Sequence, residues 1–185
     1  VVPTTIEFVD IAGLVKGASQ GEGLGNQFLS HIRQTDAIVH VVRCFDDPNI
    51  IHVSGSVDPI RDIEVINTEL MLADLDSVDK KMKRSEKIAK TSTDKKIKME
   101  FEVTKKVYEA LSQGKPARSV SLDELEQPFL KELHLITSKP VLYVCNVNET
   151  DVANGGNEWS ALVEKHAASE SNTSLLICSA MEAEI

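Results

Sequence analysis

The chain has 185 residues, of which 42% are hydrophobic and 26% are charged, and its formal net charge is −9 at pH 7. This length suits one domain with an insertion, and no uninterrupted apolar run reaches the roughly 20 residues that cross a bilayer. The composition predicts a soluble protein with no membrane partner, and its acidic charge excludes a surface that coats nucleic acid uniformly.

The cysteines, Cys44, Cys145 and Cys178, are odd in number and lack the spacing of zinc ligands. Each lies in or beside an apolar, strand-like run, where a thiol packs as a small apolar side chain. This usage favours a reducing cytoplasm. The chain begins at Val1 without methionine or a signal peptide, so we interpret it as part of a longer protein.

Two apolar runs, at residues 6–9 and 37–45, are predicted to be buried strands, and the second is rich in β-branched residues. Residues 13–25 between them are punctuated by glycine. The residues that follow at helical spacing predict a crossover helix: Leu24, Phe28, His31, Ile32 and Thr35. This strand–helix–strand order predicts a parallel sheet.

Long helical periodicity begins at Asp62 and continues without glycine or proline to a polar cluster at residues 91–94. A second helical pattern then runs to Gly114, so we predict two antiparallel helices that form an arm. The buried stripe of the second helix is predicted to be Ile97, Phe101, Tyr108 and Leu111. Residues 80–106 hold eleven Lys or Arg against four Asp or Glu, which makes the arm basic.

Ser121-Leu-Asp-Glu124 has the pattern of a capping box and predicts another helix that ends before Pro140. Its predicted buried face consists of Leu122, Leu125, Phe129, Leu133 and Ile136. Residues 141–145 and 175–178 are strand-like and flank an amphipathic helical pattern around Val163. The chain therefore divides into an α/β domain at residues 1–61 and 139–185 and a helical insertion at residues 62–138.

Three polar or small-residue segments each follow a predicted strand. Asp10 and Gly13 suit magnesium-bound water and a γ-phosphate, although these residues taken alone favour a strand end followed by a turn. Asn146 and Glu149 can bind a purine ring or form an Asx-rich turn. Ser179 and Ala180 are small residues just past the last predicted strand, so their backbone N–H groups are accessible to a base. Because ligands gather at the carboxyl edge of a parallel sheet, the three together favour nucleotide binding.

The chain resembles the YchF-type Obg-like ATPase family from Pro3 to Ile185, least closely in the arm. The motifs that carry this resemblance are Asp10-Ile-Ala-Gly-Leu-Val15, Gly21-Glu-Gly-Leu-Gly-Asn26, Val41-Val-Arg-Cys-Phe45, Asp62-Ile-Glu-Val-Ile-Asn-Thr-Glu69 and Asn146-Val-Asn-Glu149. It implies a P-loop NTPase-type G domain with a doubly wound, mostly parallel sheet, incomplete at its N-terminus, and a coiled-coil-like helical insertion.

The resemblance implies roles for the first segment. Asp10, through water to magnesium, and Gly13 belong to the magnesium and γ-phosphate motif, and the glycine-rich segment is the second switch. Leu14 stands where Ras-like GTPases have a glutamine that orients water, and a leucine cannot do this by hydrogen bonding. His52 matches the family's candidate for that task; a loop histidine bonded to backbone is the alternative.

The resemblance also implies that the base site prefers ATP, bound with Mg²⁺. Guanine recognition uses an Asn-Lys-x-Asp motif, and here Val147 replaces the lysine and Glu149 the aspartate. The residue that matches Val147 contacts adenine in the family. Asn146, Ser179 and Ala180 complete the predicted nucleotide-binding set.

No Gly-x-x-x-x-Gly-Lys-Ser/Thr motif occurs in these residues. The family places that phosphate-binding loop before residue 1 and a further domain after residue 185. We therefore expect this chain alone to bind ATP poorly and to turn it over hardly at all.

The family's association with ribosomes makes ribosomal RNA the natural partner of the arm, unless the arm is simply a solvated helical hairpin. The candidate phosphate contacts are Lys80, Lys81, Lys83, Arg84, Lys87, Lys95 and Lys96. The leading hypothesis is an ATP-hydrolysing switch with a ribosome-associated or stress-regulatory role. The alternatives are a non-catalytic helical binding module on a degenerate G domain and a GTPase of the same class, which Glu149 disfavours.

Overall fold

The computed structural model describes residues 5–10, 24–47 and 55–183, except for the side chains of residues 24–28. Its elements are α1 (Leu24–Gln34), β1 (Ile38–Arg43), α2 (Pro59–Thr91), α3 (Lys95–Ser112), α4 (Gln127–Glu132), β2 (Val141–Asn146), α5 (Glu149–Ala153), α6 (Glu158–Ser169), β3 (Thr173–Ile177) and α7 (Ser179–Glu182). Two 3-10 turns occupy Ala117–Ser119 and Ile136–Ser138. No helix within the described ranges is long and apolar enough to cross a membrane.

The described strands form a parallel sheet in the order β1-β2-β3. Ile38 opens the pairing of β1 with β2 opposite Val141, and Leu142 opens the pairing of β2 with β3 opposite Thr173. Helices connect consecutive strands, because parallel strands need long crossovers. The predictions of a parallel α/β sheet and of strands near residues 37–45, 141–145 and 175–178 are confirmed.

One face of the sheet is covered by the start of α2 and by α6. Val42 and Tyr143 of the sheet pack there against Ile63 of α2 and Val163 of α6, all four buried. On the opposite face, Val41 of β1 is 59% exposed, whereas Val144, its partner in the central strand β2, is buried. The sheet is therefore apolar on both faces, as the strands of a doubly wound fold are.

The prediction of a buried strand at residues 6–9 is wrong. These residues have no regular secondary structure, and Phe8 is 79% exposed. In the part of the chain that the structure describes, β1 pairs with β2 alone, so the 6–9 segment has no strand partner. An apolar sequence does not make a buried strand unless its backbone N–H and C=O groups are also paired.

The predicted arm is confirmed as two long helices joined by residues 92–94. α2 starts three residues before the predicted Asp62, because Asp58 accepts a hydrogen bond from the backbone N–H of Arg61 at 3.1 Å and Pro59 occupies the first turn. At the other end, the Asp94 side chain caps α3 by accepting from the N–H of Lys96 at 2.8 Å.

The core of the arm is an apolar cluster in which Val78 of α2 packs with Val103, Val107 and Leu111 of α3 and with Phe129 of α4. The predicted buried stripe of α3 was therefore only partly right. Leu111 is buried as predicted, whereas the other three predicted residues, Ile97, Phe101 and Tyr108, are only half-buried. The buried apolar positions of α3 repeat every four residues, which matches one face of an α-helix.

The prediction of a helix from Ser121 is wrong. The only helix there is α4, which begins at Gln127. Asp123, not Ser121, organises this segment, since its carboxylate accepts from the N–H groups of Leu125 and Glu126, both at 2.9 Å, and forms a local turn that competes with a helix. Leu125, predicted to be buried, is consequently 71% exposed.

The cysteines pack as predicted. Cys44, Cys145 and Cys178 are all free and buried. The Cys44 and Cys145 side chains are hydrogen-bonded to each other, and that bond, together with burial, raises the pKa of Cys44 above its ordinary value. These thiols therefore serve the packing of the strand ends.

Candidate nucleotide site at the carboxyl edge of the sheet

The structure brings Asn146 and Ser179 together at the carboxyl edge of the sheet. Asn146 is the last residue of β2, and its side-chain oxygen accepts a hydrogen bond from the backbone N–H of Ser179 at 3.0 Å. Ser179 opens α7, directly after β3. Because neighbouring parallel strands end at the same edge, residues separated along the chain meet there. The hydrogen bond fixes the orientation of the Asn146 carboxamide.

Val147 follows Asn146 and continues the sheet. Its N–H donates to the carbonyl oxygen of Ile177 at 2.9 Å. Its side chain is 2% exposed and lies in the apolar cluster beneath the sheet. The structure therefore places Val147 inside the protein, and its contact with adenine stays a prediction.

Glu149 and Ala180 are both exposed on this edge, in the first turns of α5 and α7. Asn148 precedes α5, but its side chain makes no capping hydrogen bond to the helix. The segment 146–149 is therefore not an Asx turn built by Asn148. Its polar side chains at positions 148 and 149 instead face solvent.

A residue that the sequence analysis missed holds this edge together. The Asn157 side chain donates from Nδ2 to the carbonyl oxygen of Cys44 at 2.8 Å and to the Asp151 carboxylate at 2.7 Å. It also caps α6 by accepting from the N–H of Ser160 at 3.0 Å. The pattern Asn157-x-x-Ser160 before an amphipathic helix is the signal that could have revealed it, because capping residues and hydroxyls recur at that spacing.

Asp10 is the one residue of the predicted magnesium and γ-phosphate motif that the structure describes. It is exposed and follows the irregular segment at residues 5–9. Gly13, Leu14, His52 and most of the glycine-rich segment lie outside the described residues. The roles predicted for these positions stay predictions.

Asp10 is the candidate magnesium ligand, through water, among the described residues. In the ranges 5–10, 24–47 and 55–183, no group of three or more His, Cys, Asp or Glu side chains could hold a metal. Magnesium differs from most protein-bound metals, because it keeps several waters and commonly takes one or two carboxylates plus substrate phosphates. The single exposed carboxylate of Asp10 is compatible with that kind of shell.

Comparison with known proteins agrees with the fold. Residues 2–105 match the model of a family described as the 50S ribosome-binding GTPase. The chain is 57% identical over 185 residues to the ribosome-binding ATPase YchF of Bacillus subtilis, and 50% identical over 184 residues to that of Escherichia coli O157:H7. All of this chain, and 50% of each of those proteins, is matched.

A solved structure gives the same result. The Schizosaccharomyces pombe YchF GTPase superimposes with a TM-score of 0.76 and 39% sequence identity, over 92% of this chain and 47% of that one. The chain thus spans about half the length of the relatives it matches. Its parallel α/β sheet is that of a P-loop G domain. The chain therefore belongs to the 50S ribosome-binding GTPase family, as a member of the YchF type.

Proposed function

We propose that this chain is part of a cytoplasmic, ribosome-associated switch that hydrolyses ATP in preference to GTP. The observation that carries the proposal is the hydrogen bond from Ser179 to Asn146, which orients a carboxamide at the edge where G domains bind the base. Support also comes from the ATPase name that the bacterial relatives carry.

The preference for ATP rests on the residues that follow Asn146. A guanine-specific site needs a carboxylate that accepts from the ring N1–H and the exocyclic amine. Glu149 has a longer side chain than the aspartate of GTPases and begins a helix on the surface, and Val147 replaces the lysine. These replacements remove the basis of guanine selectivity. A GTPase is the second candidate, because the family description and the S. pombe name both say so.

The catalytic half of the proposal concerns Asp10, Gly13, Leu14 and His52. Magnesium, when bound with ATP, neutralises negative charge on the phosphate oxygens. Asp10 would hold it through water, and Gly13 would let the backbone approach the γ-phosphate. Leu14 has no hydrogen-bonding group, so we assign the orientation of the attacking water to His52.

The arm is the proposed ribosome contact, and we keep residues 62–138 as the bounds of the insertion. Its basic residues fall into two groups. Lys80, Lys81 and Lys83 form ion pairs with carboxylates at 2.6 to 2.9 Å. In the described part of the chain, the other four candidates have no such partner: Arg84, Lys87, Lys95 and Lys96.

This difference decides which side chains suit RNA. A lysine that is already paired must leave its carboxylate to reach a phosphate, and the carboxylate then repels that phosphate. The second group has no ion pair to break. We therefore propose that the tip of the arm, from Arg84 to Lys96, makes most of the phosphate contacts.

The test uses the full-length protein, titrated in magnesium with fluorescent analogues of ATP and GTP. We expect ATP to bind about tenfold more tightly, and the variant Glu149→Asp to move the preference toward GTP. Glu158→Asp, the same change in the exposed first turn of α6, is the matched control and should leave the preference unchanged.

Each other outcome has a distinct meaning. A wild-type protein that prefers GTP would replace the ATPase proposal with the GTPase. A protein that binds neither nucleotide would leave a non-catalytic binding module built on a G-domain scaffold.

A further inference from the structure

α1 packs directly on the base of the arm. Leu29 and Ile32 of α1 form an apolar cluster with Leu70 and Ala73 of α2 and with Ile136, each at most 7% exposed. Burial of apolar surface of this kind is the main stabilising contribution between packed helices. A movement of α1 relative to α2 would therefore open this cluster and expose its apolar side chains.

Lys139 closes the C-terminal end of α1 from another part of the chain. Its ammonium group donates to the carbonyl oxygens of Ile32 at 2.6 Å and Arg33 at 2.9 Å, and also to that of Thr35. The last carbonyls of a helix have no partner inside the helix, and a cation at that end also interacts favourably with the helix dipole. Burial lowers the pKa of Lys139, and the nearby carboxylates oppose that change.

The segment that carries Lys139 is fixed to the arm by a buried carboxylate. Asp74 of α2 is fully buried and accepts from the N–H of Ile136 at 3.0 Å, the N–H of Thr137 at 2.7 Å and the Thr137 hydroxyl at 2.8 Å. Residues 136–139 thus contact α2 at one end and α1 at the other.

A third contact joins the same two helices at the surface. The Arg33 guanidinium donates to the Ser77 hydroxyl at 2.9 Å and to the carbonyl oxygen of Ala73 at 3.4 Å. The contact lies one helical turn along α2 from Ala73, so it extends the buried cluster outward. It can be removed without opening the core.

The contacts among α1, α2 and residues 136–139 lie between the proposed nucleotide site and the tip of the arm. α1 follows the glycine-rich segment, and residues 136–139 lead directly into β2, which ends at Asn146. α2 carries the basic tip of the arm at its far end. We propose that Lys139 is a positioning residue that holds α1 against the arm, so that a ligand on the arm and a nucleotide at the sheet edge change each other's affinity.

This proposal rests on the proposed function, because it needs both a nucleotide and a ligand of the arm. Linkage then requires the effect to be reciprocal: if ribosomes change the affinity for nucleotide by some factor, nucleotide changes the affinity for ribosomes by the same factor. That coupling factor is the quantity to measure.

The experiment uses the full-length protein with a fluorescent ATP analogue and purified ribosomes. The dissociation constant of the analogue is measured alone and at saturating ribosomes, and the ratio is expected to be about fivefold or more in the wild type. Lys139→Met keeps the length of the side chain but removes its donors. It should reduce the ratio about threefold or more while leaving the affinity for the analogue alone within about twofold.

Two further variants separate positioning from general damage. Lys139→Arg keeps a cation at the end of α1 and should restore most of the ratio. Lys165→Met removes an exposed lysine of α6 and should behave as the wild type. If Lys139→Met leaves the ratio unchanged, the proposal is overturned.

Failure of the proposal can be told from failure of the proposed function. A wild type that binds the analogue and ribosomes independently overturns the coupling and leaves the ATPase proposal standing. A wild type that does not bind the analogue overturns the ATPase proposal itself.

If Lys139→Met does not fold, Arg33→Ala and Ser77→Ala decide the question. Ser77→Ala removes the hydrogen bond from Arg33 to the hydroxyl, and Arg33→Ala removes that bond and the one to the Ala73 carbonyl oxygen. Each should lower the coupling ratio, and the double variant should lower it no further than Arg33→Ala does, because Arg33 makes both bonds. Wild-type ratios in both single variants would overturn the proposal.

Discussion

The Asn146 side-chain oxygen and the Ser179 backbone N–H, 3.0 Å apart, join the ends of β2 and β3. The carboxamide oxygen of Asn146 is therefore hydrogen-bonded within the protein, and its amino group lies at the edge of the sheet. The nucleotide site that we propose depends on this arrangement, since a carboxamide that rotates freely would not present its donor in one direction.

We expect Asn146→Ala to weaken ATP binding by the full-length protein about tenfold or more, because the variant has neither the amide donor nor its fixed orientation. Asn146→Asp keeps the acceptor for Ser179 but removes the donor, so it should retain the melting temperature and still bind ATP weakly. Asn148→Ala, which removes an exposed side chain without a capping bond, is the control. Nucleotide titration and thermal melting of each variant measure both effects, and wild-type affinity in Asn146→Ala would contradict the site.

Asp74→Ala should strongly destabilise the protein. It leaves the N–H groups of Ile136 and Thr137 and the Thr137 hydroxyl buried without their acceptor, which costs on the order of 3 kcal/mol or more. Asp76→Ala, two residues away, removes an exposed ion pair with Lys80 and should cost at most about 1 kcal/mol. Urea titration gives both values, and similar destabilisation in the two variants would show that the Asp74 network is not a main contributor.

Stability should fall in mild acid because of His40. Burial lowers the pKa of His40 from 6.5 to about 4, against the opposing charge of Asp62. Between pH 6.5 and about pH 4, His40 is therefore protonated in the unfolded chain but not in the folded chain. The free energy of unfolding decreases as the pH falls through this range. The largest slope from one such group is about 1.4 kcal/mol per pH unit.

Urea titrations of the full-length protein across this pH range measure the effect. His40→Gln should flatten the dependence, because glutamine does not titrate. His31→Gln, at an exposed position of α1, should leave the dependence as in the wild type. If His40→Gln shows the wild-type slope, another group is responsible.

The two groups of arm lysines should differ in their effect on ribosome binding. We expect Arg84→Gln, Lys87→Gln and Lys96→Gln together to reduce the slope of log affinity against log salt by about 0.7 to 0.9 for each RNA phosphate that is no longer neutralised. The matched variant Lys80→Gln, Lys83→Gln, Lys90→Gln removes three residues that each hold a carboxylate one turn away, at 2.6 to 2.7 Å. It should change the slope less. Equal slopes for the two variants would contradict the assignment of phosphate binding to the side chains that form no ion pair.

The predictions from sequence succeeded where one local signal dominated. The β-branched run of β1 and the uninterrupted periodicity of α2 each identify one element, since burial and helix period act over neighbouring residues. They failed where signals compete. At residues 121–126 the capping-box pattern is overridden by the turn that Asp123 builds, and at residues 6–9 an apolar pattern lacked a strand partner among the described strands.

The class of fold, the basic arm and the polar residues placed after each strand could be predicted from sequence, because all three follow from the order of residues along the chain. Which of those residues meet could be seen only in the folded structure. The bond between Asn146 and Ser179 joins positions 33 residues apart, and the hydrogen bond from Lys139 to Ile32 joins positions 107 apart. Such pairs depend on how strands and helices pack in space, and no local pattern encodes that packing.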